Sequence, residues 1–264
     1  MKVNKSFAKK FQPAFEKVKQ LQLEERYLGA FIFGSIARGD ATKDSDFDVK
    51  VVVNQHNPCK NINHPVMNGV KLDITFQSFG QLQEFTKQEI KRAERIPMVA
   101  ESTIIFDKTG EITKLRQKAQ KAKPRKATAE NYQLIQFMIY HANNKVERSL
   151  DNAPRSALLS MGININDILK NHYEIQGKWR VSDKRLLSDL KQWDPQLAVL
   201  LERFSTTNEV SLKFAIWSEI IDHILKPIGG RQPISENNCD CAVCKEDLKN
   251  FDQPKSSRSR LGKG

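Results

Sequence analysis

The chain is organised around one stretch, Phe31-Ile-Phe-Gly-Ser-Ile-Ala-Arg-Gly-Asp-Ala-Thr-Lys-Asp-Ser-Asp-Phe-Asp-Val-Lys-Val-Val-Val53. It starts inside an apolar run, residues 28–33, which predicts a buried strand. The pair Gly34-Ser35 ends that strand, and residues 36–38 predict a short helix before Gly39. A second strand then follows, so the stretch predicts a strand, a tight turn with a helix start, and another strand.

The second strand places two carboxylates on one side. Asp46 and Asp48 point the same way, about 6.5 Å apart at about 3.3 Å per residue, and Phe47 and Val49 occupy the opposite face. Carboxylates that close repel unless a cation lies between them. Magnesium accepts one or two carboxylates together with substrate phosphates, so the pair predicts a magnesium site. The alternative, a hairpin with a solvated aspartate pair at its edge, leaves charges on an otherwise apolar strand unexplained.

The turn before this strand has the features of a phosphate site. Gly34 has no Cβ, so its backbone can come close to a ligand. The amides around Ser35, at a helix start, can point at phosphate oxygens, and the Ser35 hydroxyl adds a donor. We therefore expect a phosphate site that faces the metal site.

The pattern G-S-x-A-R-G-x5-S-D-x-D, which runs from Gly34 to Asp48, resembles the signature of the DNA polymerase β-like nucleotidyltransferase superfamily. The resemblance implies that Gly34, Ser35 and Arg38 hold a nucleoside triphosphate and that Asp46 and Asp48 bind magnesium, with two ions expected. Together with the strand and helix patterns it implies an α/β (α+β) nucleotidyltransferase domain with a small mixed sheet, followed by an all-α helical bundle.

A third carboxylate lies on the next predicted strand. Residues 70–76 alternate apolar and polar side chains, and Asp73 falls on the polar face. In the superfamily that this chain resembles, a third carboxylate comes from the strand beside the D-x-D strand. The resemblance therefore implies that Asp73 is a third metal ligand, a general base, or both. The alternative is a solvent-facing aspartate on a half-exposed strand.

The remaining chain divides into further segments. Residues 5–25 predict an amphipathic helix, and residues 80–95 predict a surface helix. Residues 54–67 predict a polar loop, in which His56, Cys59 and His64 do not form a convincing metal site. Residues 97–107 predict a short strand. From Thr128 the patterns are helical through Leu225. We predict a catalytic domain at residues 1–126, a helical bundle at 127–230 that binds acceptor and nucleotide, and a cysteine-containing segment with a basic tail at 231–264.

One segment of the bundle resembles antibiotic nucleotidyltransferases of the streptomycin/spectinomycin adenylyltransferase kind. Residues 173–184 predict a loop with Gly177 and Trp179, followed by a helix that begins near Ser182. In those enzymes a lysine of this segment reaches the triphosphate, and the matching residue is Lys184. The alternative is a surface lysine.

The net charge of +12 is unevenly distributed. Residues 107–126 hold eight Lys and Arg against two acids, and residues 251–264 hold four against one. The two segments indicate a solvated helix face and a basic tail, or a stripe that attracts a polyanion such as RNA. The 39% hydrophobic content supports a buried core.

Cysteine usage and hydropathy bear on location and metal content. Four cysteines argue against a disulfide scaffold, no window holds 18 apolar residues, and the N-terminus lacks a secretory h-region, so we expect a cytoplasmic protein without a membrane partner. Cys239, Cys241 and Cys244 form a C-x-C-x2-C cluster. Structural zinc takes four ligands, so the three cysteines predict a zinc site in which His223 or Asp240 supplies the fourth ligand. The alternative is that the cysteines are free thiols.

The combined patterns predict an enzyme that moves a nucleoside monophosphate from a triphosphate, ATP first, to a hydroxyl group. The acceptor we expect is a small molecule such as an aminoglycoside-type antibiotic, which would make the enzyme a resistance factor. An RNA end, as in tRNA-modifying or toxin-type enzymes, is the alternative. Small nucleotidyltransferase-like antitoxins share G-S-x-A-R-G, so a binding module is a third possibility, although the intact set Asp46, Asp48 and Asp73 favours an enzyme.

Overall fold

The computed structural model describes residues 5–56, 58–59, 61–231 and 242–249. The strands are β1 (Tyr27–Ile32), β2 (Phe47–Val53), β3 (Val66–Met67), β4 (Val70–Gln77) and β5 (Thr103–Asp107). The helices are α1 (Lys5–Gln20), α2 (Gly34–Arg38), α3 (Phe79–Arg92), α4 (Glu111–Gln120), α5 (Ala129–Glu147), α6 (Pro154–Gln176), α7 (Leu186–Trp193), α8 (Pro195–Thr206), α9 (Val210–Leu225) and α10 (Ala242–Leu248).

The five strands form one mixed sheet in the order β3-β4-β2-β1-β5. β2 and β4 run parallel, whereas the other neighbouring pairs are antiparallel. Ala30 and Phe31 of the interior strand β1 are fully buried, as expected for an apolar strand covered on both faces. Helix α1 packs on one side of the sheet through Phe11 and Val18, while α3 and α4 pack on the other.

Helices α5 to α9 pack around a second core that includes Trp217, Tyr173 and Phe204, all buried. Along the described part of the chain, no strand follows Asp107. The predicted fold class, an α/β nucleotidyltransferase-type sheet followed by a helical bundle, is therefore confirmed. None of the described helices is long and apolar enough to cross a lipid bilayer.

Several local predictions differ from the structure around the sheet. Asp46 directly precedes β2 instead of lying in it. The predicted strand at 97–107 begins only at Thr103, because residues 98–101 form a 3-10 turn after Pro97. The predicted loop at 54–67 ends in β3, and Asn63 forms an additional bridge to Ile74 of β4.

The segment predicted as a loop from Tyr173 is helical at its start. Helix α6 continues to Gln176, because Tyr173 and Ile175 are buried in the bundle core. Gly177 then ends the helix with φ = +59°, the left-handed conformation that favours glycine at this position. The loop is therefore shorter, and Asp183–Arg185 form a 3-10 turn that carries Lys184.

Cys239 and Cys241 lie outside the described residues, as does the basic tail at 251–264. The zinc site predicted at Cys239, Cys241 and Cys244 therefore stays a prediction.

Candidate functional site

The parallel pairing of β2 with β4 brings the predicted carboxylates together. Asp48 lies directly opposite Asp73 in the register, so both side chains are on the same side of neighbouring strands. Lys71, two residues before Asp73, places its Nζ 3.1 Å from Asp73 Oδ1 and 3.7 Å from Asp46 Oδ2. Asp46, Asp48 and Asp73 thus lie near one another at the start of β2, and we call them the carboxylate cluster.

The electrostatic environments of two of these carboxylates differ. Burial raises the pKa of Asp48, and the negative charges of Asp73 and Asp46 raise it further. Burial also acts to raise the pKa of Asp73, but hydrogen bonds from His64 and Lys71 outweigh it, and the net shift is downward. His64 Nδ1 lies 2.6 Å from Asp73 Oδ1. Lys71 therefore supplies a positive charge, and His64 a hydrogen bond, to one side of the cluster.

Asp48 lacks such compensation at close range. No described residue forms a hydrogen bond or ion pair with its carboxylate, and the charges of Lys184 and Arg38 lower its pKa less than burial and the acidic neighbours raise it. Burial and two nearby carboxylates destabilise the ionised form of Asp48. A divalent cation bound there would stabilise it. The donor set, three carboxylates, fits magnesium, which prefers oxygen ligands.

Gly34 is packed against Asp48. Its φ is +70°, and a Cβ built at this position would overlap with Asp48 Oδ2. Glycine is therefore required both for the backbone conformation and for the space that the carboxylate occupies. Ser35 follows at the start of α2, 9% exposed, and its hydroxyl forms no hydrogen bond within the part of the chain that the structure describes.

Arg38 and Lys184 both interact electrostatically with Asp48. Arg38 Nε and Arg185 Nε each lie 3.3 Å from Asp40 Oδ2, so Asp40 links α2 to the helical part of the chain. Lys184 precedes Arg185, and its charge acts on Asp48. The structure therefore brings all seven predicted site residues to one region, although sequence separates Lys184 from the rest.

The cleft between the sheet and the helices contains a cavity of about 520 Å³. Its charged lining comprises five cationic and two acidic residues, namely Arg38, Arg95, Lys178, Arg180, Arg185, Glu101 and Asp189. Trp179 and Trp193 add aromatic surface. The cleft is thus rich in cations, whereas an acceptor that is itself a polycation needs an acidic lining.

The site residues predicted from the sequence do not include His64, Lys71 and Arg185, which the structure places there. Lys71 shares the polar face of β4 with Asp73, and this period-2 spacing was visible in the sequence. His64 lies in the segment that the sequence predicts as a polar loop without a metal site. The bridge between Asn63 and Ile74 brings His64 to Asp73. No local pattern indicates that contact.

The basic segment at 107–126 is largely a solvent-facing surface. Helix α4 buries Ile112, Leu115 and Ala119, so its lysines lie on the other side. Four lysines are exposed on α4 and just after it: Lys114, Lys118, Lys121 and Lys123. Arg125 differs, because it pairs with Glu174 of α6 at 2.9 Å.

Comparisons with known proteins identify a domain family for the first half of the chain. Residues 14–133 match the family model described as a nucleotidyltransferase domain. A nucleotidyltransferase-like protein from Exiguobacterium sibiricum 255-15, solved at 1.90 Å, is similar at 12% identity and a TM-score of 0.45, over 83% of this chain and 74% of that one. No curated protein matches the chain.

Proposed function

Residues 14–133 form a nucleotidyltransferase domain of the DNA polymerase β-like superfamily, and from this premise we propose that the protein transfers a nucleoside monophosphate to a hydroxyl group in a magnesium-dependent reaction. The observation that carries the proposal is the carboxylate cluster, in which Asp48 lies against Gly34 without a close cationic partner. An intact set of three carboxylates favours an enzyme over a nucleotidyltransferase-like binding module.

Asp46, Asp48 and Asp73 would hold the magnesium ions. When bound, magnesium would neutralise charge on the α-phosphate and on the departing pyrophosphate. Asp73 is ionised at neutral pH, because its hydrogen bonds with His64 and Lys71 lower its pKa. The ionised carboxylate of Asp73 can accept the proton of the attacking hydroxyl, although its lowered pKa makes it a weaker base than a group that titrates near neutral pH.

The triphosphate, ATP in our proposal, would lie between the turn at Gly34 and the cleft wall. The Ser35 hydroxyl is available to donate to a phosphate oxygen. Arg38 and Lys184 would bind further phosphate oxygens through charge-assisted hydrogen bonds. Both cations already act on Asp48, which supports their placement beside the reacting phosphate.

The acceptor that we propose is a hydroxylated small molecule bound in the cleft. The excess of cations there disfavours the polycationic aminoglycosides and favours neutral or anionic acceptors. The exposed lysines of α4 and the following loop support RNA as a second candidate, because lysines that neutralise phosphates release counterions and strengthen binding.

The proposal is tested by incubating the full chain with each labelled nucleoside triphosphate and magnesium, in the presence of total RNA or a panel of hydroxylated antibiotics. Transfer that requires magnesium and disappears in Asp48→Asn supports the enzyme. A complete lack of transfer, combined with tight binding of a protein partner, would favour the antitoxin-like alternative.

The acceptor class is then resolved with one quadruple variant. Changing Lys114, Lys118, Lys121 and Lys123 to Gln should weaken an RNA acceptor and flatten its salt dependence by roughly 0.7–0.9 in slope per lost phosphate contact. A small acceptor in the cleft should be unaffected, because exposed charges beyond a Debye length of about 8 Å are screened. Collapse of transfer in the quadruple variant would overturn the small-molecule proposal.

A further inference from the structure

A second group of ligand-type side chains lies in the helical part of the chain, on elements that do not carry the carboxylate cluster. His172 is on α6, Asp194 directly precedes α8, and His223 is on α9. His172 Nε2 lies 2.7 Å from Asp194 Oδ2, and His223 Nε2 lies 2.9 Å from both Asp194 oxygens. One ligand atom from each residue lies within 4.8 Å of the other two.

The packing holds each of these side chains in place. His172 is 1% exposed, and its ring stacks on Trp193 with centroids 5.2 Å apart. Asp194 Oδ1 also accepts a hydrogen bond from the Leu197 amide at 3.1 Å, which caps α8. Because three separate elements direct their donor atoms to one point, the group is preorganised and not a chance meeting of flexible surface residues.

The group opens onto a cavity of about 880 Å³. His223 and Asp194 are partly exposed at its wall. The two other acids of the wall are already paired, Glu219 with Arg203 and Asp222 with Arg231. The wall therefore adds no free carboxylate near the group, and an ion held by the two imidazoles and Asp194 would keep coordination positions open to the cavity.

We propose that His172, Asp194 and His223 bind a divalent transition-metal ion, with zinc as the probe. Two imidazoles and one carboxylate are ligands that zinc and iron accept, whereas magnesium prefers oxygen ligands alone. The site differs in chemistry from the carboxylate cluster, so the chain holds two cation sites of different selectivity. The opposing interpretation is a hydrogen-bonded link that ties α6, α8 and α9 together without any metal.

The test measures zinc binding by calorimetry and by the rise in melting temperature of the full chain. Cys239, Cys241 and Cys244 are changed to Ser to remove thiol ligands, and excess magnesium is present to occupy the carboxylate cluster. The diagnostic variant is His223→Gln, because its amide still donates to Asp194 but the imidazole is gone. His141→Gln is the matched control, since His141 stacks on Phe137 of α5 and touches none of the three residues.

We expect one zinc ion per chain, with an affinity that His141→Gln leaves unchanged. His223→Gln should lower the affinity by more than the roughly 10- to 100-fold that outer-shell partners typically cost. The ring-nitrogen NMR signals of two histidines should shift on zinc addition, and these signals should be those that vanish in the His172 and His223 variants. If His223→Gln fails to fold, Asp194→Asn preserves the helix cap and replaces it.

Three results would overturn the proposal. The first is a chain that binds no zinc under these conditions. The second is zinc binding that survives both His223→Gln and Asp194→Asn. The third is an equal loss of zinc affinity in His141→Gln, which would show that any partly exposed imidazole contributes to zinc binding. Each of these leaves the hydrogen-bonded link as the explanation, and none bears on nucleotidyl transfer.

Discussion

Asp48 and Asp73 lie directly opposite each other on the parallel strands β2 and β4, yet their environments shift their pKa values in opposite directions. Asp73 is stabilised as an anion by His64 and Lys71, whereas Asp48 is destabilised by burial and by its acidic neighbours. Asp73 is therefore the carboxylate that its neighbours hold ionised, and Asp48 is the one whose ionised form a bound cation would stabilise.

Asp48→Asn should abolish nucleotidyl transfer while the melting temperature without magnesium holds or rises, because the change removes a charge that its neighbours repel. Asp73→Asn should also abolish transfer but lower the melting temperature, because it breaks the contacts with His64 and Lys71. Labelled-nucleotide transfer and thermal denaturation in a chelator measure both effects. Turnover of Asp48→Asn within about tenfold of the original chain would contradict the assignment.

Gly34→Ala should destabilise the fold and abolish stabilisation by magnesium, because the added methyl overlaps with the Asp48 carboxylate. Gly39→Ala is the matched control. Gly39 also has a positive φ, +84°, but a Cβ there meets open space. Gly39→Ala should lower the free energy of unfolding by only about 1–2 kcal/mol, through backbone strain. Urea denaturation with and without magnesium measures the free energy of unfolding of Gly34→Ala and Gly39→Ala. An equal decrease in the two variants would argue against the Asp48 contact.

Lys184→Ala should raise KM for the triphosphate more than KM for the acceptor. The loss of one charge-assisted phosphate contact typically costs about 1.5–3 kcal/mol, or roughly 10- to 150-fold. Lys191→Ala serves as the control, because Lys191 lies on α7 and pairs with Glu202 on α8. Steady-state kinetics with each substrate varied in turn gives both constants. If the two lysine variants behave alike, Lys184 is a surface lysine.

Glu89 should make stability pH-dependent. Burial raises its pKa from 4.5 to about 7, although the Met98 amide donates to its carboxylate. The folded state holds the proton more tightly than the unfolded state, so this contribution is complete below about pH 4.5. It is lost as the pH rises through about 7.

Glu89→Gln should remove that pH dependence, because glutamine still accepts from the Met98 amide and does not ionise. Glu84→Gln on the same helix is the control, since Glu84 is exposed beside Lys87. Urea denaturation from pH 5 to pH 8 should show the variant gaining stability over the original chain as the pH rises. Parallel curves for the two chains would be the contrary result.

Contiguous residues determined the first part of the site. The apolar run into Gly34, the short helix, the alternation around Asp46 and Asp48, and the polar face with Asp73 each follow from local backbone preferences and period-2 burial. For this reason β1, β2, β4, the turn and the helical second half could be predicted within a few residues, whereas β3 was not predicted and β5 begins later than predicted. The boundaries at Tyr173 and Met98 could not, because core packing and a proline-led turn decided them.

Tertiary structure alone decided which distant groups meet. The parallel pairing of β2 with β4 puts Asp73 beside Asp48, and a single bridge carries His64 to the same carboxylate. In the helical part, Asp194 lies 22 residues from His172 and 29 from His223 along the chain, and only the packing of the helices brings their donor atoms into contact. Such contacts depend on how whole elements bury their apolar faces against one another, and no local periodicity encodes that arrangement.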